Sequence, residues 1–266
     1  MSRHDVLRDG ARLSGTDAGG GRAVVFQHGL GGDDAQVAEV FAENDFRRLT
    51  LECRAHGKSE PGDSAAFSIH TFADDVLAFA QSRGVGRFVM GGISMGAAIA
   101  LRIAIKHPDK VTALILARPA WLWGKAPENM QVLAELSHYI GDKRRDEFEV
   151  SPTAKNLAQE APDNLASMRN FFDRPDPIVS ARLLAAIAAD GPGVTETDVR
   201  GITIPTLIIA NSKDWVHPVS HARTLARMIP NAKLVEIVPK ADDKPRHLGE
   251  FRAAVFAFLQ NEGREK

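Results

Sequence analysis

The stretch Arg87-Phe88-Val89-Met90-Gly91-Gly92-Ile93-Ser94-Met95-Gly96, followed by Ala97-Ala98-Ile99-Ala100-Leu101, decides the fold. An apolar run ends in glycines, one serine stands among them, and small helix-forming residues follow. A strand therefore feeds a helix with Ser94 at the turn. A serine on so sharp a turn sits in a strained backbone conformation, and the residues two before and two after it must be tiny, because strand and helix approach closely there. Gly92 and Gly96 occupy those places. The helix that begins at the serine directs its first amides toward it, so the Met95 N–H is positioned to stabilise an anion formed at Ser94. Taken alone, Gly-x-Ser-x-Gly also describes an ordinary glycine turn with a solvated hydroxyl, so the rest of the chain must decide.

Working outward, short apolar runs recur: 23–27, 48–52, 87–91, 111–117, 206–210 and 233–238, with amphipathic stretches near 34–43, 70–82, 94–106, 219–229 and 250–260. Near-continuous apolar strands alternating with helices predict an α/β fold, a doubly wound and mostly parallel sheet covered on both faces. Ahead of these, residues 15–21 read as a turn between an N-terminal strand or hairpin and the first buried strand. Between about 119 and 200 no buried strand appears. Instead there are helical patterns, one stopped by Gly141, one with Asp163 as candidate N-cap, and one with Asp176 before Pro177. The expected organisation is a core of residues 1–118 and 200–266 with a helical cap over 119–199, above the sheet's carboxyl edge where open α/β sheets bind ligands.

Bulk properties narrow the function. The chain has 266 residues, a formal net charge of −1, 44% hydrophobic residues and one cysteine. Spread-out charge of near-zero sum provides no basic footprint for phosphates, so a nucleic-acid partner is not expected. The charged start and the absence of a run of about 20 apolar residues predict neither export nor a membrane span. A lone Cys53 suits a reducing compartment, and the expected location is cytoplasmic.

A serine nucleophile needs an oxyanion site, a base and a group that orients the base. The run 23–27 leads into His28-Gly29-Leu30-Gly31-Gly32, a loop lean enough for backbone amides to face a developing charge, and the Leu30 N–H is the candidate second donor. Neither glycine pattern of a phosphate cradle is present. After 206–210 comes Asn211-Ser212-Lys213-Asp214, and after 233–238 comes a segment containing His247. Each lies in a loop at the carboxyl end of a strand, which makes Asp214 the expected acid and His247 the expected base, in the order Ser, Asp, His. Among the other histidines, His28 and His56 read as supports of their own turns. His217 and His221 are four apart, but Pro218 starts a helix between them and no third ligand accompanies them, so a metal is not expected. Cys53 reads as inert packing, and Asp242 and Asp243 are solvated alternatives to Asp214.

Together, His28–Gly32, Glu52–Ser59, Gly92–Gly96, Asn211–Asp214 and Arg246–Phe251 resemble, in order, the motifs of the capped branch of the α/β-hydrolase superfamily, which includes carboxylesterases, enol-lactonases, C–C bond hydrolases and cofactor-free haloperoxidases. The resemblance covers about 22–118 and 200–260. It implies Ser94 as nucleophile, Asp214 as orienting acid, His247 as base, and Leu30 and Met95 as oxyanion donors. Two departures stand out: Glu52-Cys53-Arg54-Ala55-His56-Gly57-Lys58-Ser59 where relatives usually read Asp-x-Arg-Gly-His-Gly-x-Ser, and Arg246 where many have a glycine before the histidine.

The expected reaction is hydrolysis of a small-molecule ester, lactone or thioester through an acyl-enzyme on Ser94, without metal or organic cofactor. C–C bond hydrolysis or perhydrolysis would use the same residues, and a non-catalytic small-molecule binder could share the fold. For the substrate, Arg118 beyond the run 111–117 is expected to bind a carboxylate or to pair with a cap acid such as Glu128, while Trp121 and Trp215 are candidate aromatic walls, joined by Phe171 and Phe172. The sequence favours no oligomeric state.

Overall fold

The computed structural model describes residues 1–41 and 46–261. Its strands are β1 (Ser2–Arg8), β2 (Ala11–Ala18), β3 (Arg22–Gln27), β4 (Phe46–Leu51), β5 (Phe88–Ile93), β6 (Val111–Ala117), β7 (Thr206–Ala210) and β8 (Ala232–Glu236). They form an eight-stranded sheet in the order β1-β2-β4-β3-β5-β6-β7-β8. Pairs β1/β2 and β2/β4 are antiparallel and the rest are parallel. The antiparallel hairpin turns at Asp9-Gly10, both at positive φ (47° and 80°), the geometry that matches the right-handed strand twist.

Strand alternation sorts side chains onto the two faces. Val24 and Phe26 of β3 enter one core with Val37 of α1 (Asp34–Val40) and Phe251 and Val255 of α11 (Lys244–Asn261). Val25 enters the other with Phe72 and Val76 of α2 (Ile69–Ser82), Ile99 and Ile103 of α3 (Met95–Lys106), and Leu225 of α10 (Val219–Met228). All of these are at most 3% exposed, and burial of each such side chain contributes about 1.5–3 kcal/mol. Of the helix expected over 34–43, Asp34–Val40 is observed, and residues 42 and 43 lie outside the described residues.

Chain order reverses about β3, whose neighbours are β4 on one side and β5 on the other. That switch opens a crevice at the strands' carboxyl ends, between the loop after β3 and the turn after β5. The segment between β6 and β7 forms α4 (Gln131–Gly141), α5 (Arg145–Val150), α6 (Pro152–Glu160), α7 (Pro162–Arg169), α8 (Pro177–Ala189) and α9 (Glu196–Arg200), of which α4 and α7 wall the crevice through Leu133, Ser167 and Met168. Leu136 and Ile140 of α4 and Leu183 and Ile187 of α8 are buried in one core with the sheet's α3 face, so this helical layer is packed onto the body. Asp176 caps α8 as expected, accepting from the Val179 N–H at 2.9 Å. Asp163 lies instead in the first turn of α7, with Ala161 at the cap.

The last helix differs from expectation in a way that matters below. It begins at Lys244, not near 250, because Asp243 accepts from the Arg246 N–H at 2.9 Å and Pro245 occupies the first turn. His247 is therefore a helical residue and not a loop residue.

Candidate active site

Ser94 joins β5 to α3 at φ 57° and ψ −112°, outside the ordinary regions for a residue with a side chain. The neighbouring close approaches hold it there: a Cβ at Gly92 would fall on the Gly96 carbonyl, and one at Gly96 on the Gln27 carbonyl. The Ser94 N–H donates to Ala117 O at 2.9 Å. Its side chain is thereby lifted above the sheet.

The imidazole that meets it belongs to His217. Nε2 of His217 lies 2.7 Å from Ser94 Oγ, and Nδ1 lies 2.7 Å from Asp214 Oδ1. An ionised carboxylate can only accept, so Nδ1 carries the proton and Nε2 accepts from the serine hydroxyl. His217 reaches this position because it follows Asp214 by three residues in a turn that the acid itself closes, the His217 N–H donating to Asp214 Oδ1 at 3.1 Å, while Pro218 keeps the segment out of α10. His247, the expected base, is elsewhere: its Nδ1–H donates to Val238 O at 2.7 Å and its ring packs on Phe251. Among the described residues no hydrogen bond joins it to Ser94 or Asp214. The physical reason is the early start of α11, which turns this side chain back toward the end of β8.

Asp214 is the acid of the arrangement and is nearly sealed from solvent, its side chain 1% exposed. Besides His217 it accepts from Arg118 Nε on Oδ2 at 2.7 Å and from Asn164 Nδ2 on Oδ1 at 2.9 Å. Burial works against its ionisation, but Arg118, His217 and the hydrogen bonds from both outweigh this and hold the carboxyl far below the usual carboxylate range. For His217, burial lowers the pKa, Asp214 raises it and Arg118 lowers it, for a net depression.

The oxyanion side is built by subtraction. In the loop after β3, the Gly29 N–H donates to Gln36 Oε1 at 2.7 Å, the Gly31 N–H to His56 Nε2 at 3.0 Å, and the Gly32 N–H to Gly29 O at 2.9 Å. Among the described residues, the Leu30 N–H and the Met95 N–H are not engaged. Two histidines fix the loop. His28 donates Nδ1–H to Gly29 O at 2.8 Å and accepts the Cys53 N–H at 3.0 Å, while His56 donates Nδ1–H to Arg54 O at 2.9 Å and accepts the Gly31 N–H. Each pairing needs a neutral ring in one tautomer, and burial depresses both pKa values, that of His56 strongly.

A cavity of about 70 Å³ lies over Ser94, lined by Leu30, Arg118, Leu133, Met168, Phe171 and Val216 among others. Arg118 thus does face the cavity, but its Nε is on Asp214 and not on a cap acid. At φ 49° its backbone is also left-handed, held by its N–H on Ile209 O at 2.7 Å. Phe171 lines the cavity, whereas Phe172 stacks on Phe148 with ring centroids 5.5 Å apart. The two tryptophans do not line it. Trp121 is buried with its indole N–H on Asp190 O at 2.9 Å, a structural tie within the cap. Trp215 faces a separate, outer cleft of about 700 Å³ with Glu128, Glu135 and His221. Cys53 is buried, which pushes its thiol pKa far up and makes it unreactive.

A family model described as alpha/beta hydrolase fold matches residues 22–242. The chain belongs to the α/β-hydrolase fold family. The matched span of this hydrolase-fold chain contains Ser94, Asp214 and His217 and ends before His247. Among curated relatives, a protein provisionally named carbamate hydrolase RutD from Klebsiella pneumoniae subsp. pneumoniae is 30% identical over 231 residues, covering 82% of this chain and 83% of that protein. Among solved structures, the enol-lactonase from Burkholderia xenovorans LB400 superposes with a TM-score of 0.71 at 23% identity, covering 97% of this chain and all of that one. The esterase EaEST from Exiguobacterium antarcticum does so with a TM-score of 0.75 at 20% identity, covering 96% and 97%. At those identities the structural neighbours speak for the fold. No helix among the described residues is long and apolar enough to cross a membrane.

Two residues that the structure brings to Ser94 and Asp214 escaped the sequence reading. For His217 a signal existed: Asp214-Trp215-Val216-His217-Pro218 puts a histidine three residues after the acid and outside the helix that proline begins. For Asn164 there was none, because nothing in a cap helix announces that one of its side chains reaches a loop fifty residues on.

Proposed function

We propose that the protein is a serine hydrolase of small acyl compounds, in which Ser94 is the nucleophile, His217 the base, Asp214 the acid that orients it, and the Leu30 and Met95 N–H groups the oxyanion donors. The observation that carries this is the continuous chain Ser94 Oγ, His217 Nε2, His217 Nδ1, Asp214 Oδ1, with 2.7 Å at each of its two hydrogen bonds. As Ser94 Oγ attacks a carbonyl carbon, its proton passes to His217 Nε2 and the carbonyl electrons go to the oxygen held by the two amides. Collapse expels the leaving group, which takes the proton from His217. A water then repeats the sequence on the acyl-enzyme, releasing the acid and restoring Ser94.

The cavity volume of about 70 Å³ favours a short acyl group on esters, lactones or thioesters. A relative named for carbamate hydrolysis and a structural neighbour named for enol-lactone hydrolysis support adding carbamates to the screen. In this reading Arg118 serves Asp214 before it serves any substrate carboxylate.

The test is fluorophosphonate labelling read by intact mass, with p-nitrophenyl acetate turnover, on wild type and the variants Ser94→Ala, His217→Ala and His247→Ala. Labelling and turnover should disappear in the first two variants and persist in the third. Loss in His247→Ala with retention in His217→Ala would transfer the base role to His247. A folded wild type that neither labels nor turns over any of these substrates would end the serine-hydrolase reading.

A further inference from the structure

The catalytic acid is held from two sides, and one side belongs to the cap. Asn164 of α7 is 3% exposed and uses both ends of its amide on the loop that carries Asp214 and His217. Its Nδ2 donates to Asp214 Oδ1 at 2.9 Å, and its Oδ1 accepts the Trp215 N–H at 2.7 Å and the Val216 N–H at 3.1 Å. One side chain thus fixes three consecutive residues of the acid loop. Removing it would leave the Trp215 and Val216 N–H groups without their acceptor and would take from Asp214 Oδ1 one of its three donors, the other two being the backbone and ring N–H of His217.

The placement of α7 gives this clamp a functional meaning. The same helix contributes Ser167 and Met168 to the wall of the cavity over Ser94, and Phe171 follows in the next turn. A cavity of about 70 Å³ is small beside the roughly 300–1,000 Å³ of ordinary ligand pockets. A substrate larger than a short acyl compound needs the wall to give, and α7 carries both the wall and the clamp. A displacement that opens the cavity therefore also withdraws Asn164 from Asp214.

Building on the serine-hydrolase reading above, we propose that Asn164 is a positioning residue that couples the cap to the acid, so that the Asp214–His217 pair is aligned only while α7 is seated. Its side chain borders the cavity, but its hydrogen bonds go to the acid loop and none goes to Ser94 or to the His217 ring. It acts through Asp214 Oδ1, the oxygen His217 Nδ1–H uses. The charged and titratable groups facing this point are Asp214 and His217 themselves, Arg118 from the end of β6 on Oδ2, and His221 in the first turn of α10. No further carboxylate is hydrogen-bonded there among the described residues.

Two substitutions separate positioning from packing. Asn164→Leu keeps the volume and loses all three hydrogen bonds. With loss of one well-placed supporting contact costing roughly 10–100-fold in rate, kcat should fall by that factor with KM little changed. Asn164→Asp keeps an acceptor for the Trp215 and Val216 amides but sets a second carboxyl against Asp214. The two would share a proton, so the acidic limb of the kcat/KM–pH profile should rise by about one unit and cease to follow a single ionisation. Melting temperature and fluorophosphonate labelling accompany both variants. A wild type without labelling or turnover would fault the serine-hydrolase reading itself. With an active wild type, an Asn164→Asp profile superposing on wild type, or an Asn164→Leu variant of unchanged kcat, would overturn the coupling alone.

Discussion

Replacing Arg118 with glutamine should move the acidic limb of the activity profile upward, and the geometry sets by how much. Arg118 Nε and His217 Nδ1 each lie 2.7 Å from a different oxygen of Asp214, so the guanidinium and the imidazole face one another across a single carboxylate. For two unit charges some 7 Å apart, an effective dielectric of 20 to 40 gives a repulsion of about 1–2 kcal/mol, or roughly one pH unit. Arg118 thus disfavours the imidazolium, one of the influences that hold the His217 pKa down. In the proposed mechanism His217 works only when neutral, so activity should be lost as pH falls through that pKa. Without Arg118 the pKa rises, and the loss sets in at a higher pH. Freed of its one cationic partner besides the imidazole, Asp214 attracts the imidazolium more strongly, which adds in the same direction. The assay is kcat/KM for p-nitrophenyl acetate between pH 4 and 9, with wild type, Arg118→Gln and Arg118→Lys in parallel. Arg118→Lys, which retains the charge, should stay closer to wild type. The Arg118 side chain is only 18% exposed, so added salt should change the difference little. An Arg118→Gln limb that stays in place, or moves down, would refute the electrostatic reasoning.

Other consequences can be measured on the same protein. His28, His56, His217, His221 and His247 all have pKa values below that of a free histidine, burial being the first cause in each. The unfolded chain therefore binds protons that the native state refuses. Stability is retained above pH 6.5 and should fall as pH drops from there, by up to about 1.4 kcal/mol per unit for each such histidine, read from urea midpoints. Substituting His56 with phenylalanine leaves the Gly31 N–H without its acceptor. It should cost about 1–3 kcal/mol of stability and lower kcat through the Leu30 loop, whereas an unchanged kcat would detach His56 from the oxyanion site. Gly96→Ala sets a methyl against the Gln27 carbonyl and should destabilise by about 1–3 kcal/mol or more, read as a fall in melting temperature. Cys53 should resist Ellman's reagent until the protein unfolds, and rapid native-state labelling would contradict its burial.

What the amino-acid order determined on its own was the part of the protein governed by local sterics and periodicity. Apolar runs alternating with amphipathic helices specify a parallel sheet covered on both faces. Gly92-Ile93-Ser94-Met95-Gly96 specifies a tight elbow because no larger residue than glycine passes where Gly92 meets Gly96 and Gly96 meets Gln27. The glycine loop after β3 and the position of Asp214 after β7 were legible for the same reason, since each lies within a few residues of a strand end. Tertiary structure alone decided which histidine meets Ser94. Both His217 and His247 follow strands at the sheet's carboxyl edge, and their choice depends on two local events with long-range results. The Asp243 cap and Pro245 start α11 early and turn His247 onto Val238 O, while Asp214 closes a turn on His217 and leaves its Nε2 aimed at a serine 123 residues away. The roles of Arg118 and Asn164 were equally hidden, because an arginine at a strand end and an asparagine in a cap helix carry no mark of their partner. The pairing of β6 with β7 brings Arg118 to one oxygen of Asp214, and the packing of α7 brings Asn164 to the other; no pattern of neighbours along the chain encodes contacts that exist only once the strands are paired and the layers stacked.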